Sequence, residues 1–221
     1  ADELLPDDRL FFVENVDTGS VTTLPEFEYD YPAHSTTCKP IKIPELNDKM
    51  AWFIGYFHGN GYIHLTDGSG ALSVTLPNDS YGDKLLPLVV DCFKEFGVNV
   101  SVVDPVKTDN SYKVRVKSKQ LATYLHRHVK QSNTVLSVPE YIKFGLAEIK
   151  AAYLQGLLDA DGSIKTRPYQ MVCTVYADFA KEVQSLYYAL GVSARFRALS
   201  TSGLKENWKP KYEVSLAGNH A

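Results

Sequence analysis

The sequence is poor in the residues that mark several classes of protein. Its 221 residues include three cysteines, Cys38, Cys92 and Cys173, an odd number with no CxxC pair. They predict neither a disulfide framework nor a zinc site, and they favour an intracellular, reducing compartment. No apolar run approaches the roughly 20 residues of a membrane-spanning helix, so no membrane partner is expected. The acidic start at residues 1–3 is unlike a signal peptide, and the missing initiator Met suggests a trimmed piece.

Net charge is also small, at -3, which on its own argues against a nucleic-acid partner. The charge is unevenly distributed, however. Residues 1–50 hold 11 acidic and 4 basic side chains, whereas residues 51–221 hold 15 acidic and 19 basic side chains. We therefore separate residues 1–42 as an acidic arm, a linker, the edge of a neighbouring domain or a functionally silent packed extension. The remainder is basic enough for an acidic partner.

An internal repeat organises that remainder. The stretches FIGYFHGNG at residues 53–61 and LQGLLDADG at residues 154–162 share one pattern: apolar-x-Gly-apolar-apolar-polar-small-Asx-Gly. Each is followed by two strand-like segments, an amphipathic helix and two further strand-like segments. The first of these helices is expected over residues 83–96, with Gly97 ending it. The order predicts an α+β fold of two pseudo-symmetric αββαββ halves, residues 43–133 and 134–221.

The repeated stretches suit helices that pack very closely. Gly55 and Gly59 share one helical face, as do Gly156 and Ala160, because residues four apart lie on the same side of a helix. Two faces without side-chain bulk allow backbone to approach backbone. We therefore expect the two motif helices to form the interface between the halves.

Both motif helices are expected to end in an Asx-Gly pair, with the glycine making a left-handed exit. Helices that cross at a pseudo-two-fold axis would bring Asn60 and Asp161 together. Oxygen ligands of this kind suit Mg²⁺.

These residues resemble a known family. LQGLLDADG matches seven of the nine letters in the signature of the LAGLIDADG homing endonucleases, and FIGYFHGNG resembles it more weakly. The resemblance extends over about residues 43–218 through the repeated element order. Two motifs in one chain resemble the monomeric, double-motif branch, so a pseudo-dimer is implied. The resemblance also implies that two curved sheets form a saddle on the major groove of a long, asymmetric double-stranded DNA target. The implied activity is Mg²⁺-dependent hydrolysis of both DNA strands. Ca²⁺ or Mn²⁺ could substitute for Mg²⁺.

The resemblance implies roles for five residues. Asp161 would be a metal ligand, the backbone carbonyls of Gly59 and Ala160 would be supplementary ligands, and Lys117 would lie near the scissile phosphate. Asn60 departs from the family, which has an acid there. An amide keeps an oxygen but loses the negative charge that holds a divalent cation. We expect DNA binding with impaired or absent cleavage, whether the amide arose naturally or was introduced to trap an uncut complex.

Alternation along the strands predicts the side chains that face DNA. Basic and hydrogen-bonding residues share one face, and acids are scarce there. The predicted set is His64, Thr66, Ser73, Thr75, Lys113, Arg115, Lys117, Lys165, Arg167, Gln170, Thr174, Arg195, Arg197, Lys209 and Lys211. His58, which replaces the first acid of the signature, is interpreted as a packed polar residue.

Three alternatives use the same scaffold: an RNA-splicing maturase of an intron, a catalytically silent DNA-binding protein, and the endonuclease part of an intein. Asn60 favours the first two if it is natural. No N-terminal Cys or Ser nucleophile and no terminal His-Asn pair is present, so protein splicing is not expected of this segment. Residues 1–42 could still be the edge of such a host.

Overall fold

The computed structural model of the protein describes residues 19–29, 40–131, 135–164, 170–199 and 209–216. The helices are α1 (Asp48–Asn60), α2 (Ser80–Glu95), α3 (Lys119–His128), α4 (Glu140–Lys143), α5 (Ala147–Asp161) and α6 (Ala177–Ala189). The strands are β1 (Gly61–Leu65), β2 (Gly70–Pro77), β3 (Val100–Val103), β4 (Ser111–Lys117), β5 (Gly162–Ile164), β6 (Gln170–Thr174), β7 (Ala194–Leu199) and β8 (Lys211–Leu216). Within these ranges, none of the helices combines the length and apolar character needed to cross a bilayer.

The strands form two antiparallel sheets with the same internal order. One sheet has the order β1-β2-β4-β3, and the other has β5-β6-β8-β7. Each motif helix is thus followed by a hairpin, a helix and a second hairpin, and the two hairpins join through their inner strands. In the first sheet, Gly61 is opposite Val74 and Val74 is opposite Val114. This topology confirms the predicted α+β fold and its repeated element order.

Helix α2 begins three residues before the range 83–96 that the sequence pattern predicts. The Asp79 carboxylate accepts hydrogen bonds of 2.9 Å from the backbone N–H groups of Tyr81 and Gly82. Such an N-cap stabilises a helix by about 1 kcal/mol, which explains the earlier start. At the other end, Gly97 has a φ of 73° and closes the helix as predicted.

The motif helices α1 and α5 pack backbone against backbone, as predicted. A Cβ atom on Gly55 would lie 2.0 Å from the Tyr153 carbonyl oxygen, and a Cβ atom on Gly156 would lie 1.9 Å from the Trp52 carbonyl oxygen. Both separations are far inside van der Waals contact, so only glycine fits at either position. The apolar residues beside this seam are buried: Phe53, Tyr56, Phe57, Leu154 and Leu157.

The predicted left-handed exits of the motif helices are wrong. Gly61 has a φ of -87° and Gly162 a φ of -70°, so both lead directly into extended strands. Glycine is required there for space, since a Cβ atom would lie 2.3 Å from the Phe57 carbonyl oxygen at Gly61. At Gly162 it would lie 2.2 Å from the Leu158 carbonyl oxygen.

Residues 19–29, one described part of the acidic segment, pack on both repeats. Val21 forms a β-bridge with Gly145, just before α5. The ring of Phe27 meets the edge of Tyr124 on α3 at a centroid distance of 5.4 Å. Leu24 is buried between these contacts. This stretch therefore belongs to the folded body.

We expect Gly156→Ala to destabilise the fold, because the new methyl group would force α1 and α5 apart. Overpacking of a rigid core costs about 1 to 3 kcal/mol, and backbone contact on both sides places this change at about 3 kcal/mol or more. Gly68→Ala is the matched control, since no atom lies within 4 Å of the place that its new Cβ atom would occupy. Urea denaturation compares the two variants. Equal losses of stability would contradict the close-packed seam.

Candidate functional site

The C-terminal ends of α1 and α5 lie side by side. A Cβ atom on Gly59 would be 2.5 Å from the Ala160 Cβ and 2.9 Å from the Asp161 Oδ2. The Asn60 side chain reaches across to the Ala160 carbonyl oxygen, 3.5 Å away. The structure thus brings together the four residues predicted as metal ligands. Their roles as ligands stay a prediction.

Asn60 is held as a hydrogen-bond donor. Its Nδ2 group donates to the Tyr56 hydroxyl at 3.2 Å and points towards the Ala160 carbonyl oxygen. Tyr56 in turn donates to the Thr75 carbonyl oxygen at 3.4 Å. The amide therefore offers an N–H group to a carbonyl that was predicted to bind a cation. A carboxylate at position 60 could not donate this bond.

Asp161 supplies the negative charge of the site. Part of this residue faces solvent, but protein atoms crowd its carboxyl group, and this partial desolvation raises its pKa above the usual value. The positive charge of Lys130 opposes that shift.

Lys130 was not predicted as a site residue. It is buried immediately after α3, and its Nζ donates to the carbonyl oxygens of His58 at 3.1 Å and Gly61 at 2.8 Å. Burial lowers its pKa, and the nearby Asp161 carboxylate opposes that shift. Cations are favourable beside the last carbonyls of a helix, so Lys130 also caps α1. Its partners lie about 70 positions away in sequence, which is why no local pattern identifies it.

Lys117 lies elsewhere. It is exposed at the end of β4, opposite Ala71. Gly61 directly follows α1 and therefore marks the position of the helix ends along the sheet. It is aligned with Val74 on β2 and, through Val74, with Val114 on β4. Lys117 is three residues beyond Val114, which places it about 10 Å further along β4. Its predicted place beside a scissile phosphate stays a prediction.

Among the predicted lysines that the structure describes, Lys113 is nearest the level of the helix ends. It is opposite Thr75, whose carbonyl oxygen contacts the Tyr56 hydroxyl. Lys113 forms an ion pair with Asp109. The Asp109 carboxyl has a pKa below its usual value because Lys113 and Ser111 donate hydrogen bonds to it.

The first sheet presents the predicted polar face. Val114 and Val116 are buried, whereas the alternate residues Arg115 and Lys117 are exposed. The register aligns one row across all four strands: Tyr62, Ser73, Arg115 and Ser101. With His64 and Lys117 they line a shallow pocket of about 350 Å³. Tyr62 and Ser101 were missed, although their positions in the alternation match those of His64 and Arg115.

The remaining predicted contact residues are placed as follows. Thr66, Thr75, Arg195, Arg197, Lys209 and Lys211 are exposed, and Thr174 is partly exposed. Lys165 and Arg167 lie outside the described residues, and Gln170 is the first residue of β6. Two acids also occur here: Asp109 beside Lys113, and Glu213 opposite Arg197. The face is therefore basic but not free of carboxylates.

Residues 148–218 match the LAGLIDADG-like domain family. That range contains the second motif helix and the sheet that follows it. Similarity to this family is thus shown for the second half of the chain. Among curated proteins it is similar to a DNA polymerase of Thermococcus hydrothermalis (26% identical over 165 residues, 73% of this chain) and to one of Thermococcus litoralis (28% over 163 residues, 72% of this chain). The match spans only 9% of the length of each of these relatives.

Solved structures share the LAGLIDADG fold. The complex of I-DmoI with DNA and Mn aligns with a TM-score of 0.57 at 19% identity, covering 78% of this chain and 90% of that one. Mesophilic variants of the homing endonuclease I-DmoI align at 0.58 and 18% identity, covering 78% and 89%. The complex of I-DmoI with DNA and Ca aligns at 0.55 and 16% identity, covering 78% and 84%. These likenesses establish the two-repeat fold.

The first motif helix, α1, contains a buried histidine, which confirms the interpretation of His58 as a packed polar residue. Its Nε2–H donates to the Val129 carbonyl oxygen at 2.7 Å, and its Nδ1 accepts from the Tyr153 hydroxyl at 2.9 Å. Burial, assisted by the nearby Lys130 charge, lowers the pKa of His58 to about 4. The imidazole is therefore neutral at physiological pH.

The second motif makes the equivalent contact with different residues. Trp52 and Tyr153 each lie three residues before the motif glycine, and His58 and Asp159 each lie three residues after it. Trp52 Nε1 donates to Asp159 Oδ2 at 2.7 Å, just as Tyr153 pairs with His58 across the same seam. Only the His58 pair is fully buried. The two repeats thus place a side-chain hydrogen bond at equivalent positions across the seam but form it with different residue types.

The oxygen atoms at the helix ends are of the type that binds a hard cation, but together they carry little negative charge. Asp161 supplies one carboxylate, and the carbonyls of Gly59 and Ala160 supply neutral oxygens. In the part of the chain that the structure describes, no group of three or more His, Cys, Asp or Glu side chains could hold a metal ion. Any cation here would depend on Asp161 and on backbone oxygens.

Acid should weaken the fold through His58. The unfolded chain protonates this histidine near pH 6.5, whereas the folded pKa is about 4, so the unfolded state binds more protons between these values. Stability should fall by about 3 kcal/mol as pH drops from 7 to 4. The His58→Gln variant has no titrating group at this position. Its loss of stability between pH 7 and pH 4 should therefore be smaller than that of the original protein by about 3 kcal/mol. Urea denaturation at both pH values measures this, and parallel losses in both proteins would contradict it.

Proposed function

We propose that the chain is a DNA-binding protein of the homing-endonuclease type, with its two sheets on one duplex and its motif-helix ends at the scissile phosphates. The observation that carries the proposal is the juxtaposition of Asn60 and Asp161 at the end of a glycine-lined seam. The DNA complexes of I-DmoI with Mn and Ca support a DNA partner and a divalent cation. Because one chain supplies both repeats, it would act as a monomer on an asymmetric site.

The chain's own residues would divide the work at the helix ends. Asp161, with the carbonyls of Gly59 and Ala160, would hold Mg²⁺, which when bound polarises a phosphate and activates water. Lys130 uses two of its three N–H donors on the carbonyl oxygens of His58 and Gly61. Its remaining donor would stabilise charge on a phosphate oxygen beside Asp161. Lys130 thus joins Lys117 as a candidate for the basic catalytic residue.

Asn60 makes one half of this centre weak. Its amide is neutral, and its N–H group already faces the Ala160 carbonyl oxygen. A cation at that carbonyl would have to displace the N–H group without gaining a negative ligand from position 60. We therefore propose that the chain binds DNA while cleaving it poorly.

A second proposal concerns the context of the chain. The polymerase matches cover 72 to 73% of this chain but only 9% of each polymerase, which is the relation expected of a segment carried within a larger protein. This favours the intein alternative over the maturase. Sequencing the gene on both sides of this segment tests it: a continuous frame encoding a host protein on both flanks is expected, and stop codons at both borders would refute it.

Asn60→Asp should restore cleavage. A second carboxylate replaces an N–H donor at the cation site, and we expect the single-turnover rate to rise by about 100-fold or more. The target is first selected from random DNA with Ca²⁺ present, and cleavage is then followed with Mg²⁺. Adding Asp161→Asn to Asn60→Asp should abolish the gain. An unchanged rate in Asn60→Asp would overturn the proposed defect.

DNA binding should weaken steeply with salt. Among the described residues, six predicted contact residues are exposed and basic: Arg115, Lys117, Arg195, Arg197, Lys209 and Lys211. They would release counterions from about six phosphates, giving a slope of log K against log salt of about -5. Lys117→Ala should reduce the slope by about 1. Lys94→Ala is the control, because Lys94 lies on α2 and pairs with Asp91. A flat salt response, or equal effects of both variants, would contradict the proposed surface.

A further inference from the structure

The C-terminal ends of α1 and α3 are joined by a reciprocal pair of side-chain contacts. His58 on α1 donates from Nε2 to the Val129 carbonyl oxygen at 2.7 Å. Lys130, the next residue after Val129, donates from Nζ back to the His58 carbonyl oxygen at 3.1 Å. Each side chain thus satisfies a backbone carbonyl of the other's segment. Such carbonyls at helix ends lack partners within their own helix.

The backbone at Val129 and Lys130 has left the regular helix. Val129 has a φ of -120° and a ψ of -62°, and the N–H groups of both residues converge on the Leu125 carbonyl oxygen, at 2.9 and 2.8 Å. The hydrogen bonds within α3 therefore do not by themselves determine the backbone conformation at these two residues. The hydrogen bond from His58 supplies a tertiary restraint one residue before the lysine.

His58 is itself oriented by the other motif helix. The Tyr153 hydroxyl on α5 donates to Nδ1 at 2.9 Å, which leaves the proton on Nε2 and directs it at Val129. The Phe179 ring on α6 closes the remaining side at a centroid distance of 5.7 Å. His58 and Tyr153 are both essentially inaccessible to solvent. The same helix α5 ends in Asp161, so one rigid pair of helices places both the carboxylate and the restraint on the lysine.

We propose that His58 is a positioning residue that holds Lys130 beside Asp161. The relevance to cleavage rests on the proposed function, but the positioning itself is a property of the free protein. The imidazole is suited to this work because it offers one donor and one acceptor in fixed directions within an apolar site. The aspartate at the equivalent position of the second motif, Asp159, binds Trp52 and restrains no lysine in the described residues.

Three variants separate positioning from packing. His58→Phe keeps an aromatic ring, slightly larger than imidazole, and removes both hydrogen bonds. His58→Gln places an amide N–H near the former Nε2 and can still donate to Val129. Asp159→Asn is the matched control, since it changes the equivalent position on the other side of the seam and keeps an oxygen acceptor for Trp52.

The first readout needs no DNA. The ε-carbon resonance of Lys130 is followed by NMR in protein carrying ¹³C-lysine and is assigned through Lys130→Arg. We expect it to shift towards that of a solvated lysine in His58→Phe, and to stay near its original position in His58→Gln and Asp159→Asn. An unmoved resonance in folded His58→Phe would overturn the proposal. If His58→Phe fails to fold, Tyr153→Phe serves instead: a partial shift supports the proposal, and an unmoved resonance overturns it.

The second readout is single-turnover cleavage in the Asn60→Asp background. His58→Phe should slow cleavage by about 10-fold or more at unchanged DNA affinity, and His58→Gln should restore it to within about 3-fold. Equal slowing by His58→Phe and His58→Gln would count against positioning through the Nε2 donor. If the NMR shift occurs without slower cleavage, the positioning holds and the role proposed for Lys130 in hydrolysis fails.

Discussion

The contact between the backbones of α1 and α5 is the constraint on which the rest of this molecule depends. Gly55 and Gly156 touch carbonyl oxygens of the opposite helix, so the helices cannot shift along one another without a collision. Rigid packing of this kind transmits position along the whole seam. It determines that Asn60 meets Ala160 and that Gly59 meets Asp161. It also places Tyr153 against His58, and Trp52 against Asp159.

Symmetry of structure and asymmetry of chemistry coexist at the helix ends. The two repeats have the same element order and the same contact across the seam, yet one carries a neutral amide and the other a carboxylate. Lys130 adds a buried positive charge beside that carboxylate, and each charge opposes the pKa shift that burial causes in the other. The negative charge of Asp161 is thus partly balanced by the positive charge of Lys130.

The distribution of charge matters more than its sum for the proposed partner. The net charge is -3, but the acids are concentrated in residues 1–50, while Arg115, Lys117, Arg195 and Arg197 project from the sheets. An electrostatic surface acts locally because salt screens charges beyond about 10 Å. Asp109 and Glu213 temper this face rather than neutralise it. A DNA partner is therefore compatible with an acidic average.

The sequence by itself determined the features that depend on local periodicity. The repeated glycine pattern predicted the helix seam, and strand alternation separated Val114 and Val116 from Arg115 and Lys117. The local sequence pattern gave wrong predictions where contacts with residues distant in sequence determine the backbone conformation. It placed left-handed exits at Gly61 and Gly162, although the limited space beside α1 and α5 requires glycine in an extended conformation. It also passed over Asp79 as the start of α2.

Only the tertiary structure revealed Lys130 and its relation to His58. These residues are 72 positions apart, and each one's partner is a backbone carbonyl, which carries no signature in the sequence. A lysine after a helix is ordinarily a solvated C-terminal charge. It becomes a site residue here because packing buries it between two helix ends and beside Asp161. The sequence determined which faces meet, and the fold decided which buried polar groups satisfy one another, because that choice depends on distances that no local pattern encodes.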